Sequence, residues 1–369
     1  MAGSKRFTRL LFLSALLFIA AFCNAQGLSG RVTSEETGHP IAGASIYFNN
    51  TSIGTISNEE GNFTLSNAIS GELIITAVGY ERMLYKVSLQ ELGNKKLHFK
   101  LTEKENTLQD VLVLSDATRK KYLALFREFF LGITEEADNS SIRNLNAVYF
   151  VNAGDGNGII ALSDTPLVII NRKLGYKIDF DLIQFYLNQK TGLTSFYGYT
   201  RYNETGNKKK FIKNRRNVYY GGTLHFYRAL IADKLEEQGY SLYRIITDSL
   251  KQSGSNNFIS AGKMDMAIPV KAKDIIRKDS VYDVYYASFA DKMMVQYHKK
   301  PAGKNYLSRK IMINGSLPNG YRAYLHLQRP GPVMIDGSGV LQEPTSIMVS
   351  GYWMYEKAAN LLPFNYQPE

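Results

Sequence analysis

Short runs of alternating apolar and polar residues, separated by turn residues, fill residues 30–101. Within Asn62–Leu65, the side chains of Phe63 and Leu65 fall on one face of a strand. Residues 72–78 are nearly continuously apolar, which is typical of a strand buried on both faces. Because no helical periodicity interrupts these runs, of which there are about seven, the region is predicted to be an all-β sandwich of two sheets.

The pattern changes at Ser115, after which helical and strand signals alternate. Ser115 can cap a helix over residues 117–131, and Gly132 can end it. One face of this helix is strongly apolar through Tyr122, Leu125, Phe126, Phe129 and Phe130. Further helices are predicted over residues 218–238 and 352–361. With strands over residues 147–151, 166–170, 176–187, 192–202, 241–247, 281–287, 293–298, 310–313 and 321–327, the pattern predicts a larger α+β domain.

The first residues of the chain have the layout of an export signal. Three basic side chains precede an uncharged apolar run over residues 10–22, and small residues follow up to Ala25. This layout predicts a secretory signal peptide, cleaved between Ala25 and Gln26. The run is shorter than the about 20 residues that span a membrane, and no later segment reaches about 18. The mature chain is therefore predicted to be exported and to have no transmembrane helix.

Cys23 is the single cysteine of the 369-residue chain, and it lies within the predicted signal. Acylation at Cys23 would make the product a lipoprotein, but the bulky Phe22 stands where a small residue is needed, which favours ordinary cleavage. A mature chain without cysteine excludes disulfides, thiol nucleophiles and cysteine-ligated zinc. The predicted organisation is a signal peptide (1–25), a β-sandwich (26–103), a linker (104–116) and an α+β domain (117–369).

The first domain carries a long, ordered set of turn and strand motifs. They are Gly30-Arg31-Val32, Thr37-Gly38-His39-Pro40-Ile41-Ala42-Gly43-Ala44, Gly54-Thr55, Gly61-Asn62-Phe63 and Val78-Gly79-Tyr80. This set resembles the carboxypeptidase regulatory-like domain, and the resemblance implies a transthyretin-like sandwich. The family is common at the N-terminus of exported Bacteroidetes proteins, including outer-membrane receptors that import glycans. Residues 107–113 are similar to the segment that follows the domain in those receptors, whereas Asn58 stands where the family commonly has Asp.

The resemblance implies an accessory module, because the zinc-dependent catalytic domain that named the family is absent. Such an enzyme needs a His-x-x-Glu pair and a distant histidine ligand. None of the five histidines has a carboxylate at ligand spacing on one helix: His39, His98, His225, His298 and His326. The second domain is similar to uncharacterised exported Bacteroidetes proteins, and that resemblance supplies no catalytic residues.

Other motifs indicate turns rather than catalytic or metal sites. Asp336-Gly337-Ser338-Gly339 has no recognisable histidine and aspartate partner for a nucleophilic serine. Residues 152–158 contain one carboxylate and no closing Glu, so they predict a hairpin tip rather than a calcium loop. The pairs Glu135-Glu136 and Glu236-Glu237 diverge on a helix and make no acid–base dyad. No catalytic residue, metal site or cofactor is therefore predicted.

Charge is divided unevenly along the chain. Residues 26–114 carry 7 lysines and arginines against 10 acidic residues, and residues 115–369 carry 34 against 23. For an exported protein this excludes nucleic acid as a partner and indicates an anionic envelope surface or acidic glycan, unless the charge serves solubility alone. The candidate binding residues are Lys208, Lys209, Lys210, Lys213, Arg215 and Arg216, with Trp353 as an aromatic platform for sugar if it is exposed.

Two functions from different classes remain open. The first is a non-enzymatic exported protein, in the periplasm or on the periplasmic face of the outer membrane, that docks an envelope protein, glycan or peptide. The alternative is a secreted hydrolase whose active site is dispersed along the second domain. Two carboxylates about 5–10 Å apart in a cleft would favour the hydrolase. The absence of a local catalytic motif favours binding.

Overall fold

The computed structural model describes residues 27–93, 95–104, 112–154, 156–249, 263–306 and 320–369. The chain divides into two compact units. The first comprises Met1–Gln109 with Tyr199–Tyr202, and the second comprises Asp110–Gly198 with Asn203–Glu369. The predicted cleavage between Ala25 and Gln26, the acylation alternative at Cys23 and the strand predicted over residues 310–313 lie outside the described residues.

Seven short strands build the first unit. They are β1 (Leu28–Ser34), β2 (Ser45–Phe48), β3 (Gly54–Ile56), β4 (Asn62–Leu65), β5 (Gly71–Thr76), β6 (Met83–Val87) and β7 (Lys96–Leu101). One sheet has the order β4-β1-β7 and the other has the order β3-β2-β5-β6. β1 is parallel to β7, while its other neighbour and all pairs of the second sheet are antiparallel.

Apolar side chains from both sheets form one hydrophobic core. Phe63 and Leu65 are buried while the residues beside them on β4 are exposed, as the alternating pattern predicts. Leu73, Ile74 and Ile75 are all fully buried, which agrees with the continuous apolar run. The predicted all-β sandwich is therefore confirmed.

The second unit begins with a helical segment and a six-stranded sheet. The helices are α1 (Asp116–Leu131) and α2 (Glu135–Asp138). The strands are β8 (Ser140–Ile142), β9 (Val148–Asn152), β10 (Gly158–Ser163), β11 (Leu167–Asn171), β12 (Tyr176–Asn188) and β13 (Thr194–Glu204). The sheet has the order β8-β11-β12-β10-β9, and β13 also pairs with β12.

Helix α1 begins and ends where its sequence predicts. The Ser115 hydroxyl accepts a hydrogen bond from the Thr118 amide, and the chain leaves the helix at Gly132 with φ of +96°, a conformation that favours glycine. Phe126 and Phe130 are buried against the sheet, with ring centroids 4.9 Å from Phe185 and 5.0 Å from Phe180 respectively. The aromatic stripe is thus core.

The rest of the second unit contains two more sheets. Its helices are α3 (Lys209–Tyr219), α4 (Thr223–Ile231), α5 (Leu235–Gln238) and α6 (Ala272–Ile275). Its first strands are β14 (Tyr240–Ser249), β15 (Lys263–Pro269), β16 (Ile276–Lys278) and β17 (Val284–Ala287). They are followed by β18 (Lys292–Tyr297), β19 (Tyr321–Leu327), β20 (Val333–Asp336) and β21 (Ile347–Gly351). The sheet orders are β15-β14-β18-β19-β21 and β16-β17-β20, with α4 and α5 packed on a shared core. The predicted α+β class is confirmed. Across the described ranges, no helix combines the length and the apolar character that a bilayer span requires.

Two helix predictions in this unit are wrong. Residues 218–238 contain the end of α3 and two further helices, because Gly221 has φ of +89° and a Cβ there would overlap the Tyr321 hydroxyl. Residues 352–361 form two short 3-10 turns, Tyr352–Met354 and Ala358–Asn360, with Glu356 between them in a β-bridge to Gly132. The spacing of apolar residues along the sequence does not indicate the positive φ of Gly221 or the bridge between Glu356 and Gly132.

Candidate functional site

The six lysines and arginines between Lys208 and Arg216, which we call the cationic block, run from the N-cap of helix α3 along the helix. Five of its six side chains are exposed. They are Lys208, Lys209, Lys210, Lys213 and Arg216, and we call this set the basic face. Because Lys209, Lys213 and Arg216 are spaced by four and three positions, their side chains follow one stripe of the helix.

The charges of the basic face are poorly neutralised. Among the described residues, the four lysines form no ion pair with a carboxylate. Lys208 and Lys210 instead hold their Nζ atoms 5.9 and 5.3 Å from the centre of the Phe211 ring. Arg216 Nη1 donates a 3.3 Å hydrogen bond to a main-chain oxygen atom of Glu369. The set therefore presents concentrated positive charge to solvent.

The position of these cations opposes helix electrostatics. A helix N-terminus carries a partial positive charge, so lysines in the first turn raise the free energy of the helix. Lys208 is the N-cap residue of α3 and supplies no side-chain cap. Neither capping nor the helix dipole explains the lysines here, and a local violation of this kind is expected at functional positions.

Arg215, the sixth cation of the block, is not a surface residue. Its side chain is 4% exposed, and its Nε and Nη2 atoms donate to the carbonyl oxygens of Leu174 and Gly175 at 2.8 and 3.0 Å. Nη1 lies 3.0 Å from a Glu204 carboxylate oxygen, and the guanidinium stacks 4.0 Å from the centre of the Tyr176 ring. The prediction of Arg215 as a binding residue is therefore wrong, because at its position on α3 the side chain points into the protein.

Trp353 is also buried, so an aromatic platform for sugar at this residue is excluded. Its side chain is 3% exposed, and Nε1 donates a 2.8 Å hydrogen bond to the Gly221 carbonyl oxygen. Its ring packs 5.3 Å from that of Phe226. This contact explains why the first turn after β21 is held against the core.

Two ionisable side chains that the sequence did not single out follow Trp353. Burial raises the pKa of Glu356 to about 8, with Lys300 opposing the rise and Glu136 adding to it. Burial also lowers the pKa of Lys357 to about 8. Both residues lie between the two short 3-10 turns, where the spacing of apolar residues does not indicate which polar side chains are buried.

His225 is sealed in the interior of the second unit. It is 3% exposed, and its Nδ1 atom accepts a hydrogen bond from the Gly221 amide at 3.1 Å. Its Nε2 atom lies 3.0 Å from Gln238 Oε1, an arrangement that assigns the proton to Nε2 and leaves the ring neutral. Burial lowers the pKa of His225, which also favours the neutral ring. Its contacts are those of a core residue.

The motifs predicted as turns have that structure. The Asp336 Oδ1 atom accepts from the amides of Ser338 and Val340, which makes a tight turn after β20. The described residues on either side of Asp155 end β9 and begin β10, which pair antiparallel. Glu135 and Glu136 both bind Lys173 Nζ, at 2.6 and 3.2 Å. In the parts of the chain that are described, no group of three or more metal-ligating side chains occurs.

Comparisons with known proteins concern the first unit above all. Residues 28–113 match the family model of the CarboxypepD_reg-like domain. The TonB-dependent receptor SusC of Bacteroides thetaiotaomicron is 28% identical over 120 residues, which are 32% of this chain and 11% of the receptor. The chain thus spans about a tenth of this curated relative.

A crystal structure from Bacteroides uniformis, named for a suggested carbohydrate-binding role, aligns with 85% of this chain and 99% of its own. The identity is 10% and the TM-score is 0.18, so this likeness carries no argument about fold or ligand. The family match, in contrast, coincides with the seven-stranded sandwich and continues through residues 107–113. Residues 28–113 of this chain are therefore a CarboxypepD_reg-like domain.

Proposed function

We propose that this chain is a non-enzymatic binding protein of the cell envelope, exported after cleavage between Ala25 and Gln26. The basic face of α3 docks the second unit on an anionic, phosphate-bearing surface. The observation that supports this proposal is the set of five exposed cations, of which the four lysines form no ion pair with a carboxylate among the described residues.

The relatives support an envelope location. A CarboxypepD_reg-like domain opens this chain, and the partial relative is named a TonB-dependent receptor. The receptor's own activity does not transfer, since the alignment covers 11% of it. An envelope docking role requires only the CarboxypepD_reg-like domain and a separate binding surface.

Electrostatic attraction supplies a binding free energy large enough for the proposed contact, and this attraction depends on salt. A lysine or arginine near an anionic membrane contributes about 1 kcal/mol. The Debye length is about 8 Å at physiological ionic strength, so exposed charges lose most of this attraction as salt increases. The basic face therefore predicts a reversible attachment that added salt weakens.

Vesicle binding tests the proposal. The chain from Gln26 to Glu369 is sedimented with phosphatidylcholine vesicles that contain roughly one third phosphatidylglycerol, the anionic component. We expect substitution of all five residues of the basic face by Gln to lower the affinity at least about tenfold.

The matched control removes five exposed positive charges elsewhere in the second unit. Its substitutions, all to Gln, are at Lys121, Lys273, Arg277, Lys304 and Arg322. This control is expected to change the affinity less than about twofold, within the effect of bulk charge. An equal loss in both variants would contradict the proposal.

The hydrolase alternative has less support. Glu135 and Glu136 are neighbouring carboxylates, but both are bound to Lys173, and Glu136 also accepts from Asn360 Nδ2. Neither is free to act as a general acid or base in this arrangement. A hydrolase with a dispersed site stays a prediction of the sequence.

A further inference from the structure

A groove of about 380 Å³ lies along helix α1 in the second unit. Its lining is mostly apolar and includes Leu123, Ala124 and Leu145, which we call the floor. The cations that line it are Arg119, Lys120 and Arg127, which we call the rim, and Asp116 is the single acidic residue of the lining. The volume falls in the range of ligand sites, about 300–1,000 Å³.

The cations of this rim are held in place without being neutralised. Arg119 Nη2 donates to the carbonyl oxygens of Asn146 and Val148, both at 3.1 Å, and Arg127 Nη2 donates to the Ser140 carbonyl oxygen at 3.4 Å. Carbonyl oxygens fix a guanidinium but leave its charge uncompensated. Among the described side chains, no carboxylate forms an ion pair with either arginine or with Lys120.

Asp116 does not compensate the rim. It occupies the first turn of α1, where the peptide dipoles of the helix favour a negative charge. The three cations therefore outnumber the acids that line the groove by two. An occupant with negative charge would complement the rim, and one with apolar groups would cover the floor.

We infer that this groove binds an acidic segment of a partner polypeptide in extended conformation. The lining runs from Asp116 to Arg127, a distance of about 16 Å at 1.5 Å per helical residue. About five residues of an extended chain cover that length. In such a chain alternate side chains point to opposite sides, so apolar residues can face the floor while carboxylates reach the rim.

The binding test uses defined peptides as probes. A fluorescein-labelled peptide of about six residues, alternating Leu and Glu, is long enough to cover the groove, which takes about five residues at about 3.3 Å per residue. Matched peptides alternate Leu and Lys, or Ser and Glu. Binding is measured by fluorescence anisotropy with the five-Gln variant of the basic face, which keeps the two proposed sites separate.

We expect the Leu/Glu peptide to bind at least about tenfold more tightly than either matched peptide. Lys120→Glu reverses a rim charge and is expected to weaken binding about tenfold. Ala124→Glu places a carboxylate on the floor and should do the same. Lys121→Glu makes the same charge reversal at an exposed neighbour that does not line the groove, and binding should change less than about twofold.

Three results would overturn the inference. Equal effects of Lys120→Glu and Lys121→Glu would show that bulk charge alone attracts the peptide. Equal affinity for the Ser/Glu and Leu/Glu peptides would show that the apolar floor is not used. Absence of binding by all three peptides would show that the groove does not take an extended acidic chain.

Discussion

Burial separates residues that look equivalent in the sequence. Arg215 and Arg216 are adjacent members of one cationic block, yet Arg215 is 4% exposed and Arg216 lies at the surface. The side chains of adjacent helical residues point about 100° apart, so one faces the core and the other faces solvent. The composition of the block could be predicted from sequence, but its division into a structural arginine and a basic face required the position of α3 in the fold.

This difference predicts unequal stability effects at the two arginines. Arg215→Leu removes the donors that the guanidinium supplies to the carbonyl oxygens of Leu174 and Gly175, of which Gly175 keeps the Thr205 amide, and this should lower the free energy of unfolding by about 2–4 kcal/mol. Arg216→Leu, the control, should change it by less than about 1 kcal/mol. Urea denaturation measures both, and equal losses would contradict the structural role of Arg215.

Glu356 predicts an unusual pH dependence of stability. Its folded pKa of about 8 lies above its ordinary value of 4.5, so between these values the native state binds more protons than the unfolded state. The contribution of this group to stability is present below about pH 4.5 and is lost as the pH rises through about 8.

Glu356→Gln removes the buried charge and should raise the free energy of unfolding at pH 8 by on the order of 1–3 kcal/mol. At pH 5 the difference from the parent chain should be small. Thermal unfolding at both pH values checks this, with Glu236→Gln as an exposed control. A difference that is independent of pH would contradict the assignment.

Element boundaries were predictable where the chain carries its own stop signals. Helix α1 has a capping serine and a glycine with positive φ at its ends, and its prediction agrees with the structure. The break between α3 and α4 depends on Gly221 meeting Tyr321, which is distant in sequence. The sequence pattern does not contain long-range contacts of this kind. For this reason it predicts one helix over residues 218–238 and another over residues 352–361, where the structure has neither.

Gly221→Ala should therefore destabilise the second unit more than Gly222→Ala. A side chain at Gly221 combines a φ of +89° with overlap of the Tyr321 hydroxyl, and a loss of about 2–3 kcal/mol is expected. Gly222 has φ of −73°, and a Cβ there would lie 3.0 Å from the Val218 carbonyl oxygen. Similar losses at both positions in chemical denaturation would show that the break does not depend on Gly221.

At the scale of the whole chain, charge and fold follow the same division. Residues 26–114 are acidic and contain the recognised sandwich, and residues 115–369 carry the excess of lysine and arginine. The family of the first part could be identified from ordered motifs, because its turns need particular residues at particular positions. The second part offers no comparable motif. Its ionisable groups with shifted pKa values depend on contacts between residues far apart in sequence, and its groove follows one side of a helix whose pattern resembles that of any amphipathic helix.

Fractionation of cells that express the full chain shows whether the basic face attaches this protein to the envelope. The mass of the mature N-terminus is read from the same fractions. We expect a product that begins at Gln26 and sediments with membranes at low salt, while the five-Gln variant of the basic face moves to the periplasmic fraction. A variant that still sediments, or a product that begins at an acylated Cys23, would contradict this expectation.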